Sequence, residues 1–290
     1  MENAALFQKR ISDRQLPIVR EIIENEKPGV IGEISMIEWS SEQYLQFQNQ
    51  RTQPAVDLAK RIQIKNPQHI LDIGCGPGNS TNVLKNIFPD AHILGIDNSE
   101  NMIRKAQAAY TGIEFRLMSV KDICRESHTY DVIFSNACLQ WVPNHKEVIP
   151  MLFDKLNENG MLAIQVPINS QEPLFQIISE TVKEKKWGFS SLAQEPDAAL
   201  SGAEYFDILS GITERFDIWE TVYYHNMPSI DSMIEWVKGS RLLPYIQALN
   251  ENEAQKLIDE ISEKASYIYK KQKDSEIIFR FRRLFFTATH

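Results

Sequence analysis

Three glycines at alternate positions, Gly74, Gly76 and Gly78, follow a short apolar run and precede an amphipathic stretch. Glycine has no Cβ atom and accepts positive φ angles, so such a loop can turn tightly and pass close to a ligand. We therefore predict a buried strand, a tight loop and a helix, with backbone N–H groups of the loop available to an anion such as a carboxylate. A strand–loop–helix unit of this kind opens many α/β folds.

Short apolar runs alternate with amphipathic stretches from about residue 68 onward, a pattern typical of βαβ units. The prediction is an α/β, Rossmann-like fold: a mostly parallel seven-stranded sheet with helices on both faces and an α-helical cap at about 229–272. The predicted strands are 69–74, 92–97, 113–118, 130–136, 161–167, 216–224 and 277–289. The predicted helices include 80–88, closed by Pro89, a helix capped by Asn98 or Ser99 and ending near 110, 145–157 and 172–186.

Residues 1–36 precede this alternation, and Pro17 and the Lys27-Pro28-Gly29 cluster break any single long helix there. We predict a separate N-terminal extension over 1–36 made of one or two short helices. The remaining residues, 37–290, are predicted to form one large domain that includes the helical insert. The extension receives no functional interpretation.

The charge balance argues against polyanionic partners. The chain has 31 basic and 39 acidic residues and a net charge of −8, which favours neither nucleic acid nor an anionic membrane. No apolar run is long enough to span a membrane, and the first residues lack a signal core. Cys75, Cys124 and Cys138 match neither a metal-binding spacing nor a disulfide framework. We expect a cytoplasmic protein without a metal, as a monomer or weak homodimer.

Asp97 ends the second predicted strand, where a carboxylate can accept hydrogen bonds from both hydroxyls of a ribose. A nicotinamide dinucleotide uses such an acid too, but its loop has the spacing G-x-G-x-x-G/A. Counted from Gly74 the sixth position is Asn79, and counted from Gly76 it is Thr81, so neither register fits. The ligand indicated is an adenosine compound other than a dinucleotide.

The order Asp-x-Gly-x-Gly-x-Gly, which begins at Asp72, resembles the first motif of class I methyltransferases. The resemblance implies S-adenosylmethionine as cofactor, with Asp72 near its methionine amino group. For Met102 two interpretations stay open, packing against adenine or an ordinary inward-facing position of its helix. The expected cofactor-binding residues are Asp72, Gly74, Gly76, Gly78, Asp97, Asn98, Met102, Ser119, Val120 and Asn136.

From Trp39 almost to the C-terminus the chain resembles the trans-aconitate methyltransferases. The motifs that carry this resemblance are WSSEQYLQFQNQRTQPAVDLAKRI at 39–62, LDIGCGPGNST at 71–81, SNACLQWVPNH at 135–145 and YYHNMPS at 223–229. Two of these regions are also similar to insect juvenile hormone acid methyltransferases. The resemblance implies carboxyl methylation of a small organic acid, trans-aconitate or a related polycarboxylate. A carboxylic acid is ionised at neutral pH, so such an enzyme has to align the reactants and exclude water.

Candidate substrate-binding residues lie in three of these motifs. Arg51 follows Tyr44 by two helical turns, and its guanidinium can clamp a carboxylate in a bidentate fork. Gln140 and Trp141 follow the fourth strand, at the carboxyl edge of the sheet where ligands collect, and their N–H groups can hold the reacting carboxylate.

Tyr223, Tyr224 and His225 end the sixth strand, and the resemblance makes that end a wall of the substrate pocket. His225 either pairs with a distal carboxylate or is a surface histidine. The chain departs from the family pattern at Ser119, where the family has an acid, and at Leu243, where it has an arginine. In the second case a basic residue is displaced to Arg241, so the carboxylates recognised can differ.

Two alternatives to this function remain. The acceptor can be a malonyl thioester on a carrier protein, which requires an exposed basic patch. Otherwise the chain is a non-catalytic cofactor-binding or regulatory protein whose residues 1–36 contact a partner.

Overall fold

The predicted alternation of strands and helices is present in the part of the chain that the computed structural model describes. These residues are 48–123, 125–169, 171–189, 198–239 and 241–290. The predicted extension, 1–36, and Tyr44 lie outside them, so the proposed domain boundary stays a prediction.

The strands of the described residues form one seven-stranded sheet in the order β3-β2-β1-β4-β5-β7-β6. Strands β1 to β5 pair in parallel, whereas β7 runs antiparallel to both β5 and β6. The seven-stranded, mostly parallel sheet is confirmed. The strands are β1 (His69–Ile73), β2 (His92–Asp97), β3 (Glu114–Leu117), β4 (Tyr130–Asn136), β5 (Leu156–Ile168), β6 (Phe216–Met227) and β7 (Ile277–Thr289).

Helices connect the strands and continue after β6. They are α1 (Gln48–Ala59), α2 (Asn79–Ile87), α3 (Glu100–Ala109), α4 (Val120–Ile123), α5 (His145–Phe153), α6 (Pro173–Val182), α7 (Gly202–Ser210), α8 (Ile230–Lys238), α9 (Leu243–Gln247) and α10 (Glu251–Ile268). Ser99 caps α3, as one of the two predicted caps, by accepting a hydrogen bond from the Met102 N–H at 3.4 Å. No described helix is both long and apolar enough to cross a membrane.

Two predicted boundaries were wrong. The helix predicted for 145–157 ends at Phe153, because Leu156 is buried and pairs with Tyr130 at the start of β4. Because of this pairing, β5 begins at Leu156, four residues before Gly160. The helix predicted for 172–186 ends at Val182, and a separate 3₁₀ turn follows at Lys185–Trp187.

The core lies on both faces of the sheet. On one face α1 packs through Ala55 and Leu58 against a cluster that includes Ala163 of β5 and Phe285 of β7. The opposite face is covered by a larger apolar cluster that includes residues of α5 and α7. The helices at the predicted cap, with α6, enclose a third cluster around Phe279 and Phe281. Side chains alternate along a strand, so the layer into which an apolar residue packs also shows which polar residues of that strand share its face.

Candidate active site

The glycine loop joins β1 to α2, and its three glycines have positive φ angles of 71°, 55° and 93°. A Cβ atom on Gly74 would lie 2.2 Å from Cys138 Sγ, so only glycine fits between the loop and the segment after β4. A Cβ on Gly76 would meet no atom of the described chain within 4 Å. The backbone at Gly76 is therefore the open side of the loop, where a ligand can approach.

The backbone N–H groups of this loop are already used. Those of Gly74 and Cys75 donate to the Ile96 carbonyl at 2.8 and 2.9 Å, and that of Gly78 donates to the Cys75 carbonyl at 3.0 Å. The Gly76 N–H donates to Asp97 Oδ2 at 3.0 Å. The prediction that these N–H groups face an anion is wrong, because they fasten the loop to β2 and close its turn.

Asp72 is fully buried at the end of β1. Its Oδ2 accepts hydrogen bonds from Ser80 Oγ at 2.7 Å and Thr81 Oγ1 at 2.6 Å, which fixes the first turn of α2. Burial raises the pKa of this carboxyl to about 6, against the lowering effect of the two hydroxyls. Its Oδ1 is buried without a hydrogen-bond partner among the described residues. Thus Oδ2 of Asp72 holds the first turn of α2, whereas Oδ1 has no hydrogen-bond donor among the described residues.

Asp97 stands at the end of β2 beside the loop, as predicted. Its Oδ2 accepts the Gly76 N–H at 3.0 Å and its Oδ1 accepts the Ser99 N–H at 2.8 Å. Burial raises the pKa of the Asp97 carboxyl, while these backbone N–H groups lower it. The carboxylate is held in one orientation and keeps further lone pairs for a ligand.

The remaining predicted cofactor residues lie on the segments after β2, β3 and β4. Asn98 is exposed, whereas Met102 is only 6% exposed on the inner side of α3. The Ser119 hydroxyl donates to Asp122 Oδ2 at 2.7 Å, and Val120 belongs to the core. Asn136 ends β4 with a buried Oδ1 that has no partner among the described residues.

Gln140 and Trp141 lie in a 3₁₀ turn at Leu139–Trp141. Gln140 is buried, and its Nε2 donates to the Ala137 carbonyl at 2.7 Å, which stabilises a turn where Ala137 has a φ of 54°. One of the two N–H groups predicted to hold a carboxylate is therefore engaged in the turn. Trp141 is 39% exposed, so its indole ring borders solvent.

Tyr224 and His225 project from opposite faces of β6, because side chains alternate along a strand. The Tyr224 ring is 61% exposed and lies 6.0 Å from the Arg280 guanidinium. His225 is only 9% exposed and stacks on the Trp236 ring at 5.1 Å. Tyr224 and His225 therefore cannot line the same wall, whereas Tyr223 lies beside His225 with ring centroids 6.4 Å apart. The surface alternative for His225 was wrong, and the pocket wall stays a prediction.

The His225 ring is neutral at physiological pH. Burial lowers its pKa to about 4, and the positive charge of Arg283 lowers it further. His225 therefore carries no positive charge with which to form an ion pair with a distal carboxylate. Arg283, which sequence reasoning missed, is a buried cation on this face of β6 and β7.

The other two arginines of interest are placed less fully. Arg51 lies in α1, but its side chain is outside the described part of the structure, so its predicted clamp stays a prediction. Arg241 is half-buried after α8, and its positive charge lowers the pKa of Tyr245 against the raising effect of burial. Within the described ranges, no group of three His, Cys, Asp or Glu side chains is arranged to hold a metal ion.

Sequence reasoning also missed Gln165. It is fully buried in β5, and neither polar atom of its amide has a hydrogen-bond partner within the described segments. The sequence did contain a signal, since a lone glutamine interrupts the apolar run MLAIQVP. Strands buried on both faces are typically continuous in apolar residues, so a polar exception needs an explanation.

Comparisons with known proteins agree with this geometry. Residues 64–232 match the family model described as a methyltransferase domain. The chain is 38% identical over 253 residues to proteins named trans-aconitate 2-methyltransferase from Enterobacter sp. (strain 638) and Shigella dysenteriae serotype 1 (strain Sd197). Each alignment covers 87% of this chain and 98% of the relative. The fold is similar to the crystal structure of the YcgJ protein from Bacillus subtilis, with a TM-score of 0.53 at 11% identity, covering 81% of this chain and 97% of that one.

Proposed function

The chain belongs to the trans-aconitate methyltransferase family, and on that basis we propose that it transfers a methyl group from S-adenosylmethionine to one carboxylate of trans-aconitate. The observation that carries the proposal is the alignment over nearly the whole length of the curated relatives. The alignment covers 98% of each relative, so it is not confined to the cofactor loop and extends into the acceptor half of the chain. A single small carboxylate substrate follows.

The residues around the loop fit this cofactor. The open backbone at Gly76 leaves room for the ligand, and the fixed Asp97 carboxylate suits the two ribose hydroxyls. Asp72 Oδ1 and Asn136 Oδ1 are buried acceptors without partners among the described residues. Acceptors of this kind suit a ligand that carries an ammonium and a sulfonium group. When bound, the cofactor supplies an electrophilic methyl group on its sulfonium sulfur.

The chain's own residues then have two tasks, to orient the acceptor carboxylate and to keep water out. The acceptor is already ionised near neutral pH, so no side chain has to remove a proton. Precise orientation of two reactants alone contributes several orders of magnitude in rate. Buried side chains at the carboxyl ends of β4 and β5, and on the adjacent part of β7, supply such a setting, because they are fixed by the sheet.

A labelled-methyl assay against a panel of organic acids tests the proposal. Purified protein with methyl-labelled S-adenosylmethionine is expected to label trans-aconitate more efficiently than monocarboxylates, in a product whose label mild base releases as methanol, as an ester requires. Base-stable label would point to N- or C-methylation and contradict the proposal. Label found only on a malonyl carrier protein would replace the acceptor, and cofactor binding without any transfer would favour a regulatory role.

A further inference from the structure

The unexplained feature of this site is the buried amide of Gln165. In the sheet register Gln165 lies directly opposite Asn136 of β4 on one side and Phe285 of β7 on the other. Its side chain therefore shares a face with that of Asn136, at the carboxyl edge of the parallel strands. Both amide atoms of Gln165 are without a hydrogen-bond partner in the described parts of the chain.

The surroundings of this amide are apolar on the core side. Ala163, two residues earlier on the same face, is fully buried in the cluster that α1 covers with Ala55 and Leu58. The Gln165 amide loses the hydrogen bonds that it makes with water in the unfolded chain. Within the described residues, no hydrogen bond replaces them. An apolar residue of the same size would serve the core better, so packing does not explain the glutamine.

The other side of Gln165 holds a buried cation. Pro167, two residues later on the same face, pairs with Arg283 of β7, a residue that is only 9% exposed. The guanidinium carbon of Arg283 lies 5.2 Å from the centroid of the Phe281 ring, so the cation is held among the aromatic side chains of this face. An amide donor next to a buried cation is a combination that recognises a carboxylate.

We propose that the Gln165 amide and the Arg283 guanidinium form the subsite that binds the acceptor carboxylate, with Gln165 donating an N–H to it. This inference rests on the proposed carboxyl methylation and adds the residues that hold the acceptor. Adjacent strands lie about 4.8 Å apart, so Asn136 on the cofactor side and Gln165 on the acceptor side place the two reactants next to each other.

Gln165→Met tests this assignment, because methionine keeps the length of the side chain and removes its polar atoms. The variant is expected to fold with unchanged or higher thermal stability and to bind S-adenosylhomocysteine as the wild type does. Its KM for trans-aconitate is expected to rise on the order of 10- to 100-fold, the loss that a hydrogen bond to a charged group represents. Gln165→Leu, measured in parallel, guards against a misfolded methionine variant.

Thr287→Val is the matched control. Thr287 is a buried polar residue on the same face of β7, opposite Ala163 and one step further from the carboxyl edge. Replacement of its hydroxyl is expected to leave the KM for trans-aconitate within about twofold of the wild type. Unchanged kinetics in both Gln165 variants would overturn the subsite, since the amide would then be a structural residue only.

Two further outcomes separate this inference from the proposed function. Weaker binding of S-adenosylhomocysteine with an unchanged KM for trans-aconitate would assign Gln165 to the cofactor and overturn its role toward the acceptor. A wild type that makes no ester would defeat the proposed function itself. The subsite is then decided by calorimetric titration of the S-adenosylhomocysteine complex with trans-aconitate: binding lost in Gln165→Met supports it, and equal or no binding in both proteins overturns it.

Discussion

Burial changes the pKa of two residues at this site, Asp72 and His225. Asp72 and His225 are both removed from water, and each is driven toward its neutral form, with the pKa of Asp72 raised to about 6 and that of His225 lowered to about 4. Asp72 keeps two hydroxyl donors, whereas His225 keeps aromatic neighbours and the repulsion of Arg283. Of these two neighbours on β6 and β7, Arg283 carries a positive charge near neutral pH and His225 does not.

The neutral state of His225 predicts an acid-dependent loss of stability. Below its ordinary pKa of 6.5 the unfolded chain protonates this histidine, while the folded chain does not do so until about pH 4. The free energy of unfolding therefore falls as the pH falls through this window, by up to about 2 kcal/mol at pH 5. His225→Phe, with a ring that cannot titrate, is expected to lose less stability than the wild type between pH 8 and pH 5.

Urea denaturation of both proteins at the two pH values measures this difference. Asp72 is present in both, so its opposite titration cancels in the comparison. Parallel losses of stability in the wild type and His225→Phe would show that the folded chain protonates His225 as readily as the unfolded chain does.

At the scale of elements, a long-range hydrogen bond links α1 to β6, in addition to the apolar packing of the helix on the sheet. The Tyr223 hydroxyl of β6 donates to Asp57 Oδ2 at 2.7 Å, and burial together with this carboxylate raises the pKa of Tyr223. The two residues are separated by 166 positions in the chain, so the bond ties the helix that carries Arg51 to the strands that carry His225 and Arg283.

Tyr223→Phe is expected to destabilise the protein by about 1 kcal/mol, because it removes one half-buried hydrogen bond and leaves Asp57 unpaired on that side. Chemical denaturation measures the change. Tyr267→Phe is the matched control, since the Tyr267 ring is 70% exposed and its hydroxyl contacts only Glu263 in α10. Equal destabilisation in both variants would show that the tie to α1 contributes nothing of its own.

The sequence predicted the elements well where local pattern and burial agree. The four buried positions of HILDI and the cap at Ser99 needed no tertiary information. The helix predicted for 145–157 failed because Leu156 pairs with Tyr130, a contact invisible to local periodicity. The site was predicted on the cofactor side, where Gly74, Gly76, Gly78 and Asp97 form one motif.

The residues that we assign to the acceptor were not predicted from the sequence, because they come together through the antiparallel pairing of β5 with β7. Tyr224 and His225 are neighbours in sequence but lie on opposite faces, whereas Gln165 and Arg283 are distant in sequence and lie on the same face. Which residues face each other depends on strand register, and the sequence alone does not give the register.

At the scale of the whole molecule, the residues predicted for the cofactor and those assigned to the acceptor lie in different halves of the sheet. Strands β1 and β2 with their loop hold the predicted cofactor residues, and β5, β6 and β7 hold the buried amide and the cation assigned to the acceptor. Strand β4 lies between them with Asn136 at its end. The central claim is that these halves bring a methyl donor and a small carboxylate together.

The measurement that tests this claim most directly is mass spectrometry of trans-aconitate incubated with the protein and deuterated-methyl S-adenosylmethionine. We expect the wild type to form a monomethyl ester that carries the deuterated methyl group. The ester is expected to be lost in Asp97→Ala, because the missing carboxylate weakens binding of the ribose. Wild-type protein that binds the cofactor but forms no such ester, at any trans-aconitate concentration that saturates related enzymes, would contradict it.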